Sequence, residues 1–297
     1  MQHIEEIKDY WNMRANGFSM AVEEELKTES GKKWEEIFRN TITKENAEVL
    51  DDGTGAGFFP VILSRLGHKV TAIDYSDEMT AQAAKRFKEA GAEVLVRQMD
   101  AQKLEFADES FDAVVSRNVL WNLDDPAAAY REMHRVLRPG GKLIISDGNM
   151  YLYIHDEEYA RLHEKQMEEM KKKPETEVSL HGKHNVDHVD FSIIEKIAED
   201  LPMSRRRRPQ WDFEQLISLG FDDIHVKLQG KELPMGFLII AVKKDTGAAV
   251  KKGEVILVLE AMKMENEIVA PQDGTVASVN VGAGDAVEAG DVLATMN

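Results

Sequence analysis

A chain of 297 residues with 54 acidic side chains against 37 Lys and Arg carries a formal charge of −17, which argues against a nucleic-acid partner, whose phosphates need clustered bases. Its hydrophobic content of 43 % suits a globular chain long enough for two domains, and the absence of cysteine excludes disulfides, thiolate metal ligands and thiol nucleophiles. No apolar run approaches a membrane span and Met1-Gln2-His3-Ile4-Glu5-Glu6 does not read as a signal peptide, so the expectation is a cytoplasmic protein with no membrane partner.

Residues 3–40 read as helices, with apolar side chains at helical spacing: Ile4, Ile7, Tyr10 and Trp11, then Leu26, Trp34, Ile37 and Phe38. From 47 to 147, short apolar strands alternate with amphipathic helices, the pattern of a parallel sheet covered on both faces. Ligands in such sheets bind beyond the carboxyl ends of the strands, where Asp51, Asp74, Asp100 and Ser116 fall. The run Glu48-Val49-Leu50-Asp51-Asp52-Gly53-Thr54-Gly55-Ala56-Gly57-Phe58-Phe59 is the most specific feature. Its glycines let the backbone turn sharply and approach a ligand closely. A dinucleotide fingerprint wants Gly-x-Gly-x-x-Gly; here the third glycine falls one residue early, and an acid stands two residues before the first. That acid repels a pyrophosphate and suits an ammonium group, which favours an amino-acid-bearing nucleoside.

Residues 148–209 alternate acids and bases and carry few strand signals. His181, His184 and His188, with Asp187 and Asp190, have spacing for a metal site, for one histidine as a base near its ordinary pKa of about 6.5, or for a solvated lid. Arg205-Arg206-Arg207-Arg208 reads as a solvated loop or, alternatively, as a grip on an anionic substrate group or a cap on the pocket. Trp211 to Gly220 resumes as a helix closed by glycine, and Phe221 to Leu228 and Gly236 to Lys243 read as an antiparallel strand pair. Thereafter valines and glycine turns dominate. Lys263, between Met262 and Met264, separates two strand-like runs and would sit at a hairpin tip. Gly247-Ala248-Ala249-Val250-Lys251-Lys252-Gly253-Glu254-Val255 returns as Gly284-Asp285-Ala286-Val287-Glu288-Ala289-Gly290-Asp291-Val292, an internal repeat.

Residues 1–244 resemble class I S-adenosylmethionine-dependent methyltransferases. The resemblance rests on the glycine loop, on Asp74 closing His68 to Asp74, on Asp100 after the third strand, on Ser110 to Ser116, and on Arg135 to Leu143. It implies a Rossmann-like seven-stranded sheet, α/β in class, with a helical lid inserted at 148–209. It also implies S-adenosylmethionine held by Asp51, Gly53, Gly55, Gly57, Asp74 (the ribose hydroxyls), Tyr75, Met79, Asp100 (the adenine amino group), Ala101 and Arg117. Asn118 and Trp121 then fall where the family meets a small-molecule acceptor, although a strand-end cap and simple burial explain them as well. Tyr10, Trp11 and Arg14 resemble a cofactor-covering helix, with core packing the alternative for Trp11. Asp52 departs from the family, where an apolar residue is usual, and bears on packing beneath the loop or on its affinity. The Asn/Asp-Pro-Pro-aromatic motif of nucleic-acid amino-methylating enzymes is absent, and without cysteine the pyrimidine-C5 mechanism is excluded.

Residues 245–297 resemble the all-β module of biotin carboxyl carriers through Ala261-Met262-Lys263-Met264. The resemblance implies covalent biotin at Lys263, with a biotin ligase or carboxylase subunits as partners. The family's pseudo-twofold repeat pairs Ala270 to Val276 with Leu233 to Ile239, so one strand is claimed twice. Its ladder groups can be used only once. The larger sheet is expected to keep it, leaving the carrier module truncated. The alternative is a biotin carrier or scaffold of a carboxylase or decarboxylase, with a non-catalytic nucleoside-binding domain.

Overall fold

The computed structural model describes residues 3–172, 180–230, 233, 235–244, 249–253, 255–261, 264–269, 271–279 and 294–296. Two helices open the chain, α1 (Ile4–Glu25) and α2 (Glu29–Thr41), the second capped by Thr28, whose side chain accepts from the Ser30 amide. The alternating region comes next: β1 (Glu48–Asp52), α3 (Phe58–Arg65), β2 (Lys69–Asp74), α4 (Asp77–Ala90), β3 (Val94–Gln98), β4 (Phe111–Arg117), α5 (Pro126–Val136) and β5 (Leu137–Gly148). Ser76 caps α4 through the Met79 amide, and Asp125 caps α5 through Ala128 with Pro126 in its first turn.

The described part of 148–209 is helical, with α6 (Glu157–Lys171), α7 (Leu180–Lys183) and α8 (Ser192–Ala198). Helix α9 (Gln210–Ser218) ends before the left-handed Gly220 (φ 84°) and leads into β6 (Phe221–Gln229) and β7 (Gly236–Lys243). The strand order is β3-β2-β1-β4-β5-β7-β6. Strands β1 to β5 run parallel, while β7 lies antiparallel between β5 and β6. The order reverses between β1 and β4, which is where a crevice opens at the carboxyl ends in such sheets.

Alternation along the strands decides the two cores. Leu50, Ile73, Val114 and Leu143 pack with Tyr130, Met133 and Phe237 on one face; Val49, Val70, Val115 and Ile144 pack with Phe38, Phe59 and Ile62 on the other. The Arg138 to Gly141 turn is absorbed into β5 as an irregularity: Leu137 pairs with Phe111 and Lys142 with Ala113. Strand β7 does belong to the large sheet, with Phe237 and Ile239 fully buried.

The remaining strands are β8 (Ala249–Val250), β9 (Val255–Ala261), β10 (Met264–Val269), β11 (Gly274–Val279) and β12 (Ala294–Met296). β9 pairs antiparallel with β10, and β11 lies between β8 and β12. Ala261 pairs with Met264; Lys263 lies outside the described residues. No helix among the described residues is long and apolar enough to cross a membrane.

Candidate functional site

Where β1 ends, Gly53, Gly55 and Gly57 all take left-handed backbone (φ 77°, 52° and 86°), which side chains with a Cβ rarely adopt. A Cβ on Gly53 would strike Val119, and one on Gly57 would strike Phe87 of α4, so the loop is also packed too closely to accept one. The amides of Gly53 and Thr54 donate to the Ile73 carbonyl (3.0 and 2.7 Å), fixing the loop to the end of β2. Asp74 completes the fastening, with one carboxyl oxygen accepting from the Gly55 amide (2.8 Å) and the other from Ser76 (2.9 Å).

The acids here have little positive charge to answer them. Burial pushes Asp74 up to about 6, opposed by the amides of Ser76 and Gly55. Asp51 is 2 % exposed with one carboxyl oxygen unpartnered; burial and the Asp74 charge raise it to about 7. Asp52 is wholly buried and pushed well above the carboxylate range by burial and by Asp51, Asp100 and Asp74. Asp100 accepts from the Gln102 amide and side chain (2.9 and 3.0 Å), beside the buried Ala101. Arg117, at the end of β4, is drawn to Glu25 of α1 (2.8 Å) and lies over the Phe58 ring (4.7 Å).

Helix α1 spans this rim. Glu5 accepts from the Tyr75 hydroxyl (2.7 Å), Asn12 bonds Ser76 and Asp77, and Ser19 accepts from Arg86. Phe18 lies against Gly55. Trp11 meets Tyr10, Phe18 and Trp121 edge-on, and Trp121, 7 % exposed, tilts against Tyr151 (5.2 Å). Trp121 is thus largely buried among these rings near the end of β4. Arg14 is buried, donating to Asn185 (2.9 Å) and lying over Phe191. Asn118 is exposed, with left-handed backbone (φ 57°) and its amide bonded to the Ser146 carbonyl. Met79 is buried at the start of α4.

In the lid, the two histidines whose side chains are described stand apart. His184 pairs with Glu24 of α1 (2.8 Å), His188 is exposed, and the side chain of His181 lies outside the described residues. Asp187 accepts from Asn16, Asp190 accepts from Ser192, and no group of three potential metal ligands occurs among the described residues. Nor is the arginine run one solvated loop. Arg205, Arg206 and Arg207 are exposed, but Arg208 is wholly buried between Asp147 (3.1 Å) and Asp212 (2.6 Å), over the Phe237 ring. Sequence reasoning also missed Glu25, Phe18 and Asp147, whose partners lie far along the chain.

The residues present fit a cationic, hydroxyl-bearing ligand. Asp51 offers an unpartnered carboxyl oxygen, and the nearby Arg117 is already paired with Glu25. An anionic ligand would lie beside the carboxyls of Asp51 and Asp74.

Residues 50–145 match the family described as Methyltransferase domain, and residues 225–296 match that described as Biotin-requiring enzyme. Phosphatidylethanolamine N-methyltransferase of Cereibacter sphaeroides is 40 % identical over 121 residues, 39 % of this chain and 59 % of that protein. The ubiquinone/menaquinone biosynthesis C-methyltransferase UbiE of Desulfotalea psychrophila is 39 % identical over 102 residues, 34 % of this chain and 41 % of its own. The chain thus spans under two thirds of either relative. Among solved structures, a SAM-dependent methyltransferase from Methanosarcina mazei aligns at 23 % identity and a TM-score of 0.48, covering 70 % of this chain and 97 % of that one. One from Aquifex aeolicus aligns at 22 % and 0.45, covering 71 % and 89 %. The methyltransferase-domain match thus falls on β1 to β5 of the seven-stranded sheet, and the biotin-requiring match begins within β6 and runs to residue 296.

Proposed function

We propose that residues 1–244 transfer a methyl group from S-adenosylmethionine to a small-molecule acceptor. The observation that carries this is the left-handed glycine loop, fastened to Asp74 and flanked by Asp51 with one unpartnered carboxyl oxygen, at the reversal of strand order. Bound there, the donor supplies a methyl already activated on a sulfonium. Asp51, Gly53, Gly55 and Gly57 are assigned to its amino-acid end, Asp74 to its sugar, and Tyr75, Met79, Asp100 and Ala101 to its base. Arg117 orders α1 through Glu25. Asn118 and Trp121 are assigned to the acceptor.

The chain's task is then alignment and exclusion of water. Helix α1 and the rings of Trp11, Phe18, Trp121 and Tyr151 cover the rim, and such positioning can supply about 7–11 kcal/mol of barrier reduction. Titration calorimetry with S-adenosylmethionine and S-adenosylhomocysteine tests the assignment, alongside methyl incorporation from labelled donor into cell extracts. A chain that binds neither ligand sinks it.

The family match over 225–296 and the pairing of Ala261 with Met264 favour a second activity in the same polypeptide. Residues 245–297 are proposed as a partial biotinyl module with Lys263 as the attachment point and a biotin ligase or carboxylase subunits as partners. A streptavidin blot after expression with a biotin ligase reads it directly. Efficient labelling without any nucleoside binding would instead favour a carrier.

A further inference from the structure

Strand β1 ends on two acids, and the second has no part in the assignment above. Alternation sets Asp51 on the sheet face of Val49 and Asp52 on that of Leu50. Asp52 is 0 % exposed, and neither of its carboxyl oxygens has a hydrogen-bond partner. Its backbone pairs with Ile73 of β2 and Ser116 of β4, and its carbonyl accepts from the Ser116 hydroxyl (2.9 Å). Buried polar atoms are nearly always paired, and an unpaired buried carboxylate is strongly disfavoured.

The charged groups around it worsen the position. Asp51 adjoins it on β1, Asp74 closes β2, and Asp100 lies just past β3. From β4 comes Arg117, already committed to Glu25 of α1. From β5 comes Asp147, committed to Arg208. The residues paired with Asp52 across the sheet, Ile73 and Ser116, are uncharged. An apolar side chain would pack here at less cost, so Asp52 is held against stability directly beneath the glycine loop.

We propose that Asp52 makes the cleft selective for the sulfonium donor over its neutral thioether product, releasing its proton to solvent as the donor's positive charge enters. The inference rests on the methyl-donor reading of the same cleft. The donor carries one positive charge more than the product, at sulfur. In the empty cleft, burial and the neighbouring acids favour the protonated form of Asp52. With the donor bound, one proton has left and one positive charge has arrived, so the cleft's net charge is unchanged. The product brings no such charge and leaves Asp52 protonated. After transfer the lone carboxylate regains its proton, which weakens the hold on the product.

The test is calorimetry of the full chain with S-adenosylmethionine and S-adenosylhomocysteine in phosphate and in Tris, whose protonation enthalpies differ, between pH 6 and 9. The wild type is expected to release protons on binding the donor and none on binding the product. An opposite charge beside a buried acid shifts its ionisation by 1–3 units, so the donor-to-product affinity ratio should fall by about tenfold or more in Asp52→Asn and Asp52→Leu. Asp52→Leu should also melt at a higher temperature, which shows that its binding defect is not misfolding. Donor and product binding with no proton release overturns this inference alone. So does release that persists in Asp52→Asn and vanishes in Asp51→Asn, or an unchanged affinity ratio. A wild type that binds neither ligand overturns the methyl-donor reading as well.

Discussion

Replacing Arg208 by alanine should unfasten the lid from the sheet. Its guanidinium makes three hydrogen bonds to Asp212 (2.6–3.1 Å), approaches Asp147 at 3.1 Å, and lies 4.9 Å from the Phe237 centroid. The Tyr130 hydroxyl donates to Asp212 (2.7 Å), and Asn149 holds the Arg208 backbone through both amide and carbonyl. None of the three charged side chains is more than 1 % exposed. Alanine leaves two buried carboxyls without their cation, and breaking such a cluster costs about 3–5 kcal/mol. At about 2–4 °C per kcal/mol for a domain of this size, melting should fall by roughly 6–20 °C.

The pH dependence of this loss is set by Asp147. Burial already raises its carboxyl, while Arg208 pulls it down; without the arginine it rises further. A carboxyl raised in the folded state contributes stability that is complete below its unfolded pKa and lost as pH rises. The variant should therefore be less impaired at pH 5 than at pH 8. Arg208→Met combined with Asp147→Asn and Asp212→Leu removes all three charges and should recover most of the loss. Thermal melts monitored by circular dichroism measure both. A loss under about 1 kcal/mol, or a triple variant no better than the single one, refutes the reasoning.

Asp74→Ala should weaken S-adenosylmethionine and S-adenosylhomocysteine alike by about 10- to 150-fold, the worth of hydrogen bonds to a charged group; calorimetry giving unchanged affinity would remove Asp74 from the site. In the ligand-free protein Asp51 and Asp74 are raised to about 7 and about 6, so their stability contribution is complete below about pH 4 and lost through pH 6–7. Melting temperature should accordingly drop between pH 5 and 8, and less so in Asp51→Asn; a rise over that window contradicts their burial. Streptavidin labelling should be weak in the wild type and absent in Lys263→Arg, whereas strong labelling at Lys263 refutes the truncated module. His184→Ala should keep turnover within about twofold and cost under about 1 kcal/mol, as expected of a partly exposed pair with Glu24. A hundredfold loss of turnover would restore the histidine as a base.

The features legible in the sequence were those that repeat locally. Short apolar strands alternating with amphipathic helices from 47 to 147 announced the sheet, and the glycine spacing announced the loop whose left-handed backbone the structure shows. The hidden features depend on partners distant along the chain. Four consecutive arginines look alike until the fold places Asp147 and Asp212 around the fourth and leaves the other three in solvent. Helix α1 was readable from its apolar spacing. That Glu5, Asn12 and Glu25 would reach Tyr75, Ser76 and Arg117 was not, because its exposed-looking polar residues carry no mark of what they face. The partner of His184 was hidden for the same reason: clustering with other histidines left a metal, a base and a solvated lid all open, and its partner is Glu24.

The strand claimed by two domains shows how such a conflict resolves physically. β7 is bonded along one edge to β5, from Lys142 to Gly148, and along the other to β6. Phe237 and Ile239 are fully buried in one core, and Leu238 packs into the other. A strand with both edges paired and both faces covered has no ladder group left for a second sheet. The match to the biotin-requiring family nonetheless begins at residue 225, inside β6. The likeness therefore runs through residues that this fold spends on the methyltransferase sheet. On the proposed reading, a carrier module in this chain is assembled from the residues beyond β7, and weak acceptance of biotin at Lys263 is the expected outcome.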